Sequence, residues 1–341
     1  MTPDELFMQR AIELAQLGTG TVSPNPRVGC VIVHDFKIIG EGWHQKFGEA
    51  HAEVNAVLSV GDPSLLKEGT VYVNLEPCSH FGKTPPCVDL LIAQGVKKVV
   101  IGNTDTNPLV AGRGIQKLIS SGTEVVVGVL EKECRELNKR FFTFIEKQRP
   151  YIILKWAQTA DRFIAQKNFE SKWISNDFSR QVVHQWRGEE DTVLVGTRTA
   201  AHDNPSLTVR DWSARNPTRI VIDRFLRLDD HLHLFNQKEK TICYNLLKHE
   251  ERPNLVLVRI DEENFIVNLV HDLFKRGIQS MMVEGGAQTL QLFLDAKQWD
   301  EARVFTSPRI FGEGIPAPIL LAKLIAQQHV GTDRLEYFFP K

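Results

Sequence analysis

The sequence predicts two consecutive α/β domains, and three observations lead there. At 341 residues the chain is long for a single domain. Short apolar runs of strand character alternate with helical stretches of about ten residues, the pattern of a sheet with helices on both faces. The polar stretch "EKQRP" (146–150) interrupts that series, and a second series that does not resemble the first begins beyond it.

In the first half, "MTPDELFMQRAIELAQ" reads as a helix opened by a capping box. Thr2 is the N-cap, Pro3 holds the first helical position and Glu5 reaches back. Phe7, Ala11 and Leu14 give this helix an apolar stripe. Strands are expected at 28–34, 37–42, 70–76, 97–102 and 124–130. Helices are expected at 50–60, 86–95 and 114–122, the last two stopped by Gly95 and Gly122. In the second half, strands are expected at 151–157, 192–196, 218–223, 255–260, 280–286 and 301–308. Turn-rich connections are expected between 196 and 217. Internal repeats and low-complexity segments are absent from the sequence.

Composition narrows the function. An apolar share of 42% suits full cores. A net charge of -1 gives no field that would draw nucleic acid or an anionic membrane. No apolar run approaches the roughly 20 residues that a membrane helix needs. The start lacks the apolar and basic regions of a signal peptide. Five cysteines, an odd number, fit thiol or metal chemistry in a reducing compartment. A cytoplasmic protein is expected.

The chemistry concentrates first in "EAHAEVNA" (49–56) and "EPCSHFGKTPPC" (76–87). His51 and Glu53 open a helix two residues apart, about 200° around its axis, so both serve one site only if the helix end faces it. Cys78 follows Pro77 after an apolar strand, and Cys87 follows Pro85-Pro86 at the next helix start. One imidazole and two thiolates make three ligands, with Glu53 as a nearby non-ligand carboxylate. Three protein ligands leave a fourth position for water, as at a catalytic zinc. Zinc acidifies that water, and a carboxylate can then carry the proton while an amidine-like carbon loses ammonia. The pattern H-x-E…P-C-x-x-C marks zinc nucleobase deaminases; "HAE" and "PC" match it, and the second cysteine is displaced. His80 is the alternative fourth ligand, which would close the site and make the zinc structural. Any one of these residues alone is more often a plain buried or solvated side chain.

A second set lies beyond the polar break. Lys155 follows a strand, Asp203 sits in a turn, and Arg187 and Arg210 accompany them. Arginine forks suit phosphate, although solvated surface arginines are the commoner case. "MMVEGGAQTLQLFLD" (281–295) reads as a strand, a Gly285-Gly286 turn and an amphipathic helix. Two glycines let the backbone approach a ligand, and the helix start can receive phosphate; a plain strand-to-helix turn fits as well. No G-x-G-x-x-G follows the first strand of this half, so that dinucleotide fingerprint is missing.

"SPNPRVGCVIV", "HAE", "LEPCSHFGKTPPC" and "NPLVAGRGI" closely resemble the deaminase half of the bifunctional deaminase-reductases of bacterial riboflavin synthesis, the RibD family. The resemblance covers nearly all of residues 1–147, and its long cysteine spacing separates this family from C-x-x-C deaminases of cytidine or tRNA adenosine. It implies a cytidine-deaminase-like α/β/α domain over 1–147, with zinc on His51, Cys78 and Cys87 and with Glu53 as proton shuttle. It also implies pyrimidine and ribose contacts from Asn25, His44, Asp105 and Asn107, and His80 and Lys83 where the ribose phosphate lies. "SKWIS", "VLVG", "DNPSLTVR" and "VEGG" resemble the reductase half over most of residues 148–315.

That second resemblance implies a dihydrofolate-reductase-like α/β domain over 148–341 that uses NADPH. Substrate contacts would come from Ser171, Arg187, Leu207, Arg210 and Glu284. Cofactor contacts would come from Gln158, Trp173, Thr199, Asp203 and Gly286, with Lys155, Asp203 and Glu284 acting on the ribose. The expected activity is zinc-dependent deamination of 2,5-diamino-6-(5-phosphoribosylamino)pyrimidin-4(3H)-one, then NADPH-dependent reduction of the ribosyl to the ribityl chain. The expected partner is that small molecule, with neither nucleic acid nor membrane, in a homodimer or higher homo-oligomer. One departure stands out: the family commonly reads "SLDG" where this chain has "TADR" (159–162), so Arg162 replaces glycine. Arginine there either carries a backbone cost, if φ must be positive, or crowds the cofactor or reaches a phosphate. It keeps open a monofunctional deaminase with a degenerate reductase domain.

Overall fold

Successive residues of the strands around 31–33, 71–73 and 99–101 point to opposite sides and are apolar on both, which places a sheet between two layers of helices. The computed structural model describes residues 1–81, 85–107, 111–168 and 174–341, and the chain divides into Met1–Lys147 and Gln148–Lys341. The first unit runs α1 (Pro3–Gln16), β1 (Gly29–His34), β2 (Lys37–Trp43), α2 (Ala52–Leu58), β3 (Thr70–Leu75), α3 (Cys87–Gln94), β4 (Lys98–Asn103), α4 (Arg113–Ser120), β5 (Glu124–Val127), α5 (Glu131–Leu137) and α6 (Lys139–Lys147).

Its sheet has the order β2-β1-β3-β4-β5, antiparallel on either side of β1 and parallel from β3 to β5. Ile32, Val71, Val73, Val99 and Ile101 pack on Ala52, Ala56, Val88, Leu91 and Leu118 of α2, α3 and α4. Val31, Val33, Tyr72 and Val100 face Phe7, Met8, Ala11 and Leu137 of α1 and α5. The capping box of α1 is complete, with Glu5 N–H donating to Thr2 Oγ1 at 3.2 Å and Thr2 N–H to Glu5 Oε2 at 2.7 Å.

The second unit runs β6 (Tyr151–Gln158), β7 (Phe163–Ala165), α7 (Asp177–Glu189), β8 (Thr192–Gly196), α8 (Thr197–Asp203), β9 (Thr218–Ile222), β10 (Thr241–Asn245), β11 (Glu250–Arg252), β12 (Leu255–Arg259), α9 (Phe265–Lys275), β13 (Ser280–Gly285), α10 (Ala287–Asp295), β14 (Glu301–Thr306), β15 (Ile315–Pro316), β16 (Ala322–Val330) and β17 (Asp333–Pro340). Its large sheet has the order β11-β12-β10-β9-β8-β13-β6-β14-β17-β16. The strands from β12 to β14 are parallel, and β11, β17 and β16 join the two edges antiparallel. One face packs on α9 and α10 through Leu269, Leu273, Leu290 and Phe293. The other packs on α7 and α8 through Val183, Trp186 and Ala200.

Several boundaries differ from the sequence expectation. The helix expected at 50–60 starts only at Ala52, because His51 is extended as its N-cap at φ -76° and ψ 165°. Pro86 is likewise the N-cap of α3, and Cys87 is the first helical residue. The strand expected to reach 130 stops at Val127, where Gly128 turns the chain at φ 96°. The stretch expected to be turns, 196–217, contains α8. β10, β16 and β17 lie where the apolar pattern signalled no strand. Among the described residues no helix is long and apolar enough to cross a membrane.

Candidate functional site

In the first unit the carboxyl ends of β3 and β4 and the amino ends of α2 and α3 meet. α2 comes close to β2 because β2 has glycine at the crossing: a Cβ on Gly42 would lie 2.3 Å from Ala56 N. The imidazole of His51 makes no cap bond to its own helix and turns to the cysteines. Its Nδ1 lies 3.5 Å from Cys78 Sγ and 3.3 Å from Cys87 Sγ, and the three ligand atoms are within 4.8 Å of one another. Tetrahedral zinc at ordinary Zn–N and Zn–S lengths sets such N···S separations at about 3.5 Å, so the donor set fits that ion. Cys87 N–H donates to Cys78 Sγ at 3.3 Å, one of the first free amides of α3. The hydrogen bond between the two thiols pulls Cys78 down and pushes Cys87 up, with His51 helping to lower Cys78. The bond to Cys78 raises the His51 imidazole.

Glu53 is 3% exposed, on the first turn of α2. Burial first, then the charge of Cys78, pushes its carboxyl up to about 7. A dication among the three ligands would act the other way and favour the carboxylate. His80, the alternative fourth ligand, is exposed and is not gathered with the other three.

The remaining expected residues of this unit surround the same place. Asn25 Nδ2 donates to His44 Nε2 at 3.1 Å, and His44 Nδ1 donates to the Ala50 carbonyl at 3.0 Å. The His44 ring stands edge-on to His51 with centroids 5.4 Å apart. Asp105 is buried after β4, accepts Asn107 N–H at 2.8 Å, and is pushed up to about 6, chiefly by burial. Lys83 lies outside the described residues.

In the second unit a cleft of about 1220 Å³ opens at the carboxyl ends of β6, β8, β9 and β13, where open parallel sheets hold ligands. Lys155, Thr199, Asp203, Leu207, Arg210, Glu284 and Gly286 line it, as does Arg187. Arg187 is no solvated surface arginine. Its side chain is 12% exposed and forks onto Glu284, 8% exposed, at 2.6 and 2.7 Å. A third N–H, on Nη1, donates to the Thr208 carbonyl at 3.2 Å. Burial alone would raise Glu284; Arg187, then Lys155, hold it down to about 2. Burial lowers Lys155, and Glu284 partly offsets this.

The Gly285-Gly286 turn caps α10 without a side-chain bond, and a Cβ on Gly286 would come within 3.0 Å of Thr199 Oγ1. Two helix starts, those of α8 and α10, face the cleft, and a side chain at Gly286 would crowd the Thr199 hydroxyl. Gln158 does not line the cleft; it accepts from Trp156 Nε1 at 2.9 Å and donates to Thr306 Oγ1 at 3.2 Å. Ser171 and Trp173 lie outside the described residues. Arg162 occupies a tight turn at φ 65°, its N–H donating to Thr159 O at 2.9 Å. It is exposed and does not line the cleft, so of the two consequences foreseen for it the backbone cost is the one realised.

Two residues escaped the sequence reading. His184, buried on α7, accepts Arg210 N–H on Nδ1 at 3.2 Å and so fixes the backbone under that arginine. Glu76, buried between β3 and Cys78, collects backbone donors from two later segments. Its only sequence signal is a carboxylate at the end of an apolar strand.

Comparison with known proteins now bears on both sites. Residues 1–103 match the family described as the cytidine and deoxycytidylate deaminase zinc-binding region, and residues 150–329 match the RibD C-terminal domain. The riboflavin biosynthesis protein RibD of Aquifex aeolicus is 43% identical over 318 residues, which are 92% of this chain and 89% of that protein. RibD of Escherichia coli K12 is 39% identical over 91% of this chain and 89% of its own length. The crystal structure of a diaminohydroxyphosphoribosylaminopyrimidine deaminase/5-amino-6-(5-phosphoribosylamino)uracil reductase from Thermotoga maritima is similar at TM-score 0.92 and 38% identity, over 99% of each chain. Acinetobacter baumannii RibD gives a TM-score of 0.92 at 34% identity, again over 99% of both chains.

Proposed function

This chain belongs to the RibD family of riboflavin biosynthesis proteins, with a deaminase and a reductase domain, and on that premise we propose how its own residues divide the work. Residues 1–147 deaminate 2,5-diamino-6-(5-phosphoribosylamino)pyrimidin-4(3H)-one: water adds, the C–N bond breaks, and ammonia leaves 5-amino-6-(5-phosphoribosylamino)uracil. Residues 148–341 then reduce the ribosyl chain of that product to ribityl. The observation that carries this reading is the gathering of His51 Nδ1 with the two Sγ atoms beside a buried carboxylate that is not one of them.

Zinc, held by His51, Cys78 and Cys87, supplies a water acidic enough to act at neutral pH. Glu53 takes a proton from the attacking water and returns one to the departing nitrogen, a role that contributes about 10²–10⁴-fold. Asn25 and His44, locked to each other, Asp105 and Asn107 orient the pyrimidine and ribose, and His80 and Lys83 meet the phosphate.

In the second unit NADPH supplies the hydride. The α10 start at Gly286, with Thr199 and Asp203 opposite, receives the cofactor's phosphates and ribose, and Trp173 completes that set. Arg210, Ser171 and Leu207 hold the substrate. Arg187 keeps Glu284 ionised beside Lys155, and Lys155, with Asp203, manages the proton that accompanies ring opening and reduction. Arg162 gives the degenerate-reductase alternative no support, since it stays outside the cleft.

A cytoplasmic location and a homodimer or larger assembly complete the proposal. Five free cysteines suit a reducing compartment. The strand β16 ends the sheet among the described residues and exposes Leu324 and Ile325, a surface that a second copy could cover. The test of the site assignment is Glu53→Gln. It should retain zinc, lose ammonia release by about 10²-fold or more, and still oxidise NADPH on the deaminated compound. Unchanged ammonia release, or loss of zinc, would overturn the assignment.

A further inference from the structure

Glu76 is 4% exposed and sits two residues before Cys78. Its Oε2 accepts Asp105 N–H at 3.2 Å and Gly112 N–H at 3.0 Å. Its Oε1 accepts Gly114 N–H at 3.0 Å and Ile115 N–H at 3.3 Å. Gly112 is the N-cap of α4 and has no side chain with which to cap it. The carboxylate of Glu76 therefore does from another strand what a capping side chain does locally, and it gains from the positive end of the helix. It also reaches back across the sheet end to Asp105. Space is reserved for this arrangement: a Cβ on Gly114 would lie 2.5 Å from Pro77 O and 3.1 Å from Glu76 Oε1.

Among the described residues, every hydrogen bond to that carboxylate comes from a backbone N–H. Only an ionised carboxyl offers acceptors alone on both oxygens; an amide of the same shape would turn an NH₂ against two of these amides. We infer that Glu76 is a positioning residue that fixes Asp105 and the start of α4 relative to the Cys78 end of the metal centre. It touches neither metal nor reacting atoms. Its effect on the reaction passes through Asp105, and in that respect the inference rests on the deaminase reading above.

The experiment compares the full-length protein with Glu76→Gln and Glu76→Asp. Zinc content, the KM and kcat of deamination and the amide hydrogen exchange of residues 105 and 112–115 are measured on each. Reduction of the deaminated compound by the same chain serves as the folding control. For Glu76→Gln the expected result is normal zinc and normal reduction, with KM for the diamino substrate raised about tenfold or more and kcat changed far less. The Asp105, Gly112, Gly114 and Ile115 amides should exchange at least about tenfold faster. Glu76→Asp keeps acceptor-only chemistry and should fall between wild type and Gln on both measures. Unchanged exchange and KM in Glu76→Gln, zinc loss with a matching fall in kcat, or equal damage in Gln and Asp would each overturn the inference. If the wild type itself does not deaminate, the functional reading fails, while the exchange data still decide the role of Glu76.

Discussion

Arg187 and Glu284, ninety-seven residues apart in sequence, lie fork to fork at 2.6 and 2.7 Å on the wall of the second unit's cleft. Both side chains are nearly sealed from water, and Lys155 adds a second cation to the same carboxylate. The pair sets how that wall responds to acid. Glu284 is held to about 2, below its unfolded value of about 4.3. A depressed carboxyl contributes stability above the unfolded value and loses it as pH falls through the folded one. Calorimetry of the full chain should therefore show the second unit losing thermal stability from about pH 4 down to about pH 2. Glu284→Gln should remove that dependence and, by leaving Arg187 buried without its partner, cost about 3–5 kcal/mol at neutral pH. A Gln variant with the wild-type midpoint at neutral pH would show that the pair is not holding the wall.

The metal prediction separates the two units. Chelation should abolish ammonia release, lower the unfolding midpoint of Met1–Lys147, and leave NADPH-dependent reduction of the deaminated compound intact. Zinc should restore the first two. A fall in reduction of similar size would contradict the assignment of zinc to His51, Cys78 and Cys87 alone.

The turn at Arg162 makes a third prediction, with the opposite sign to most substitutions. A left-handed arginine costs about 1 kcal/mol that glycine does not. Arg162→Gly should raise the midpoint of the second unit by about 2–4 °C and leave NADPH oxidation unchanged, because the side chain stays outside the cleft. A lower midpoint would mean that the arginine makes a stabilising contact outweighing its backbone cost, and altered NADPH kinetics would bring it back to the cofactor.

What the sequence made legible follows the range of each interaction. The capping box at Thr2 and Glu5 acts over three residues, and it forms as written. The "HAE" pair required a helix end aimed at one site, and His51 at the N-cap of α2 meets that geometry with a two-residue shift of the helix start. Apolar runs signalled every strand of the first sheet and, in the second, β6, β8, β9, β12, β13 and β14, but not the interior strand β10. The edge strand β16 escaped because an edge exposed to water carries a mixed pattern, with Lys323, Gln327, Gln328 and His329 among its apolar residues. The helix α8 escaped because only Ala200 of its seven residues is buried, leaving no stripe to read. Arg187 with Glu284, and Glu76 with the start of α4, were illegible for another reason. Each depends on chain topology bringing distant segments together, and no local spacing encodes that.

The central claim is that one chain performs two successive reactions, and product identification tests it most directly. Zinc-loaded protein is given the diamino substrate with and without NADPH, and the products are identified by mass spectrometry. Without NADPH the account predicts ammonia and the deaminated ribosylaminouracil phosphate as the end product. With NADPH it predicts the ribityl compound and one NADPH consumed for each ammonia released. Accumulation of the deaminated compound with NADPH untouched, or reduction of the diamino compound without ammonia release, would contradict it.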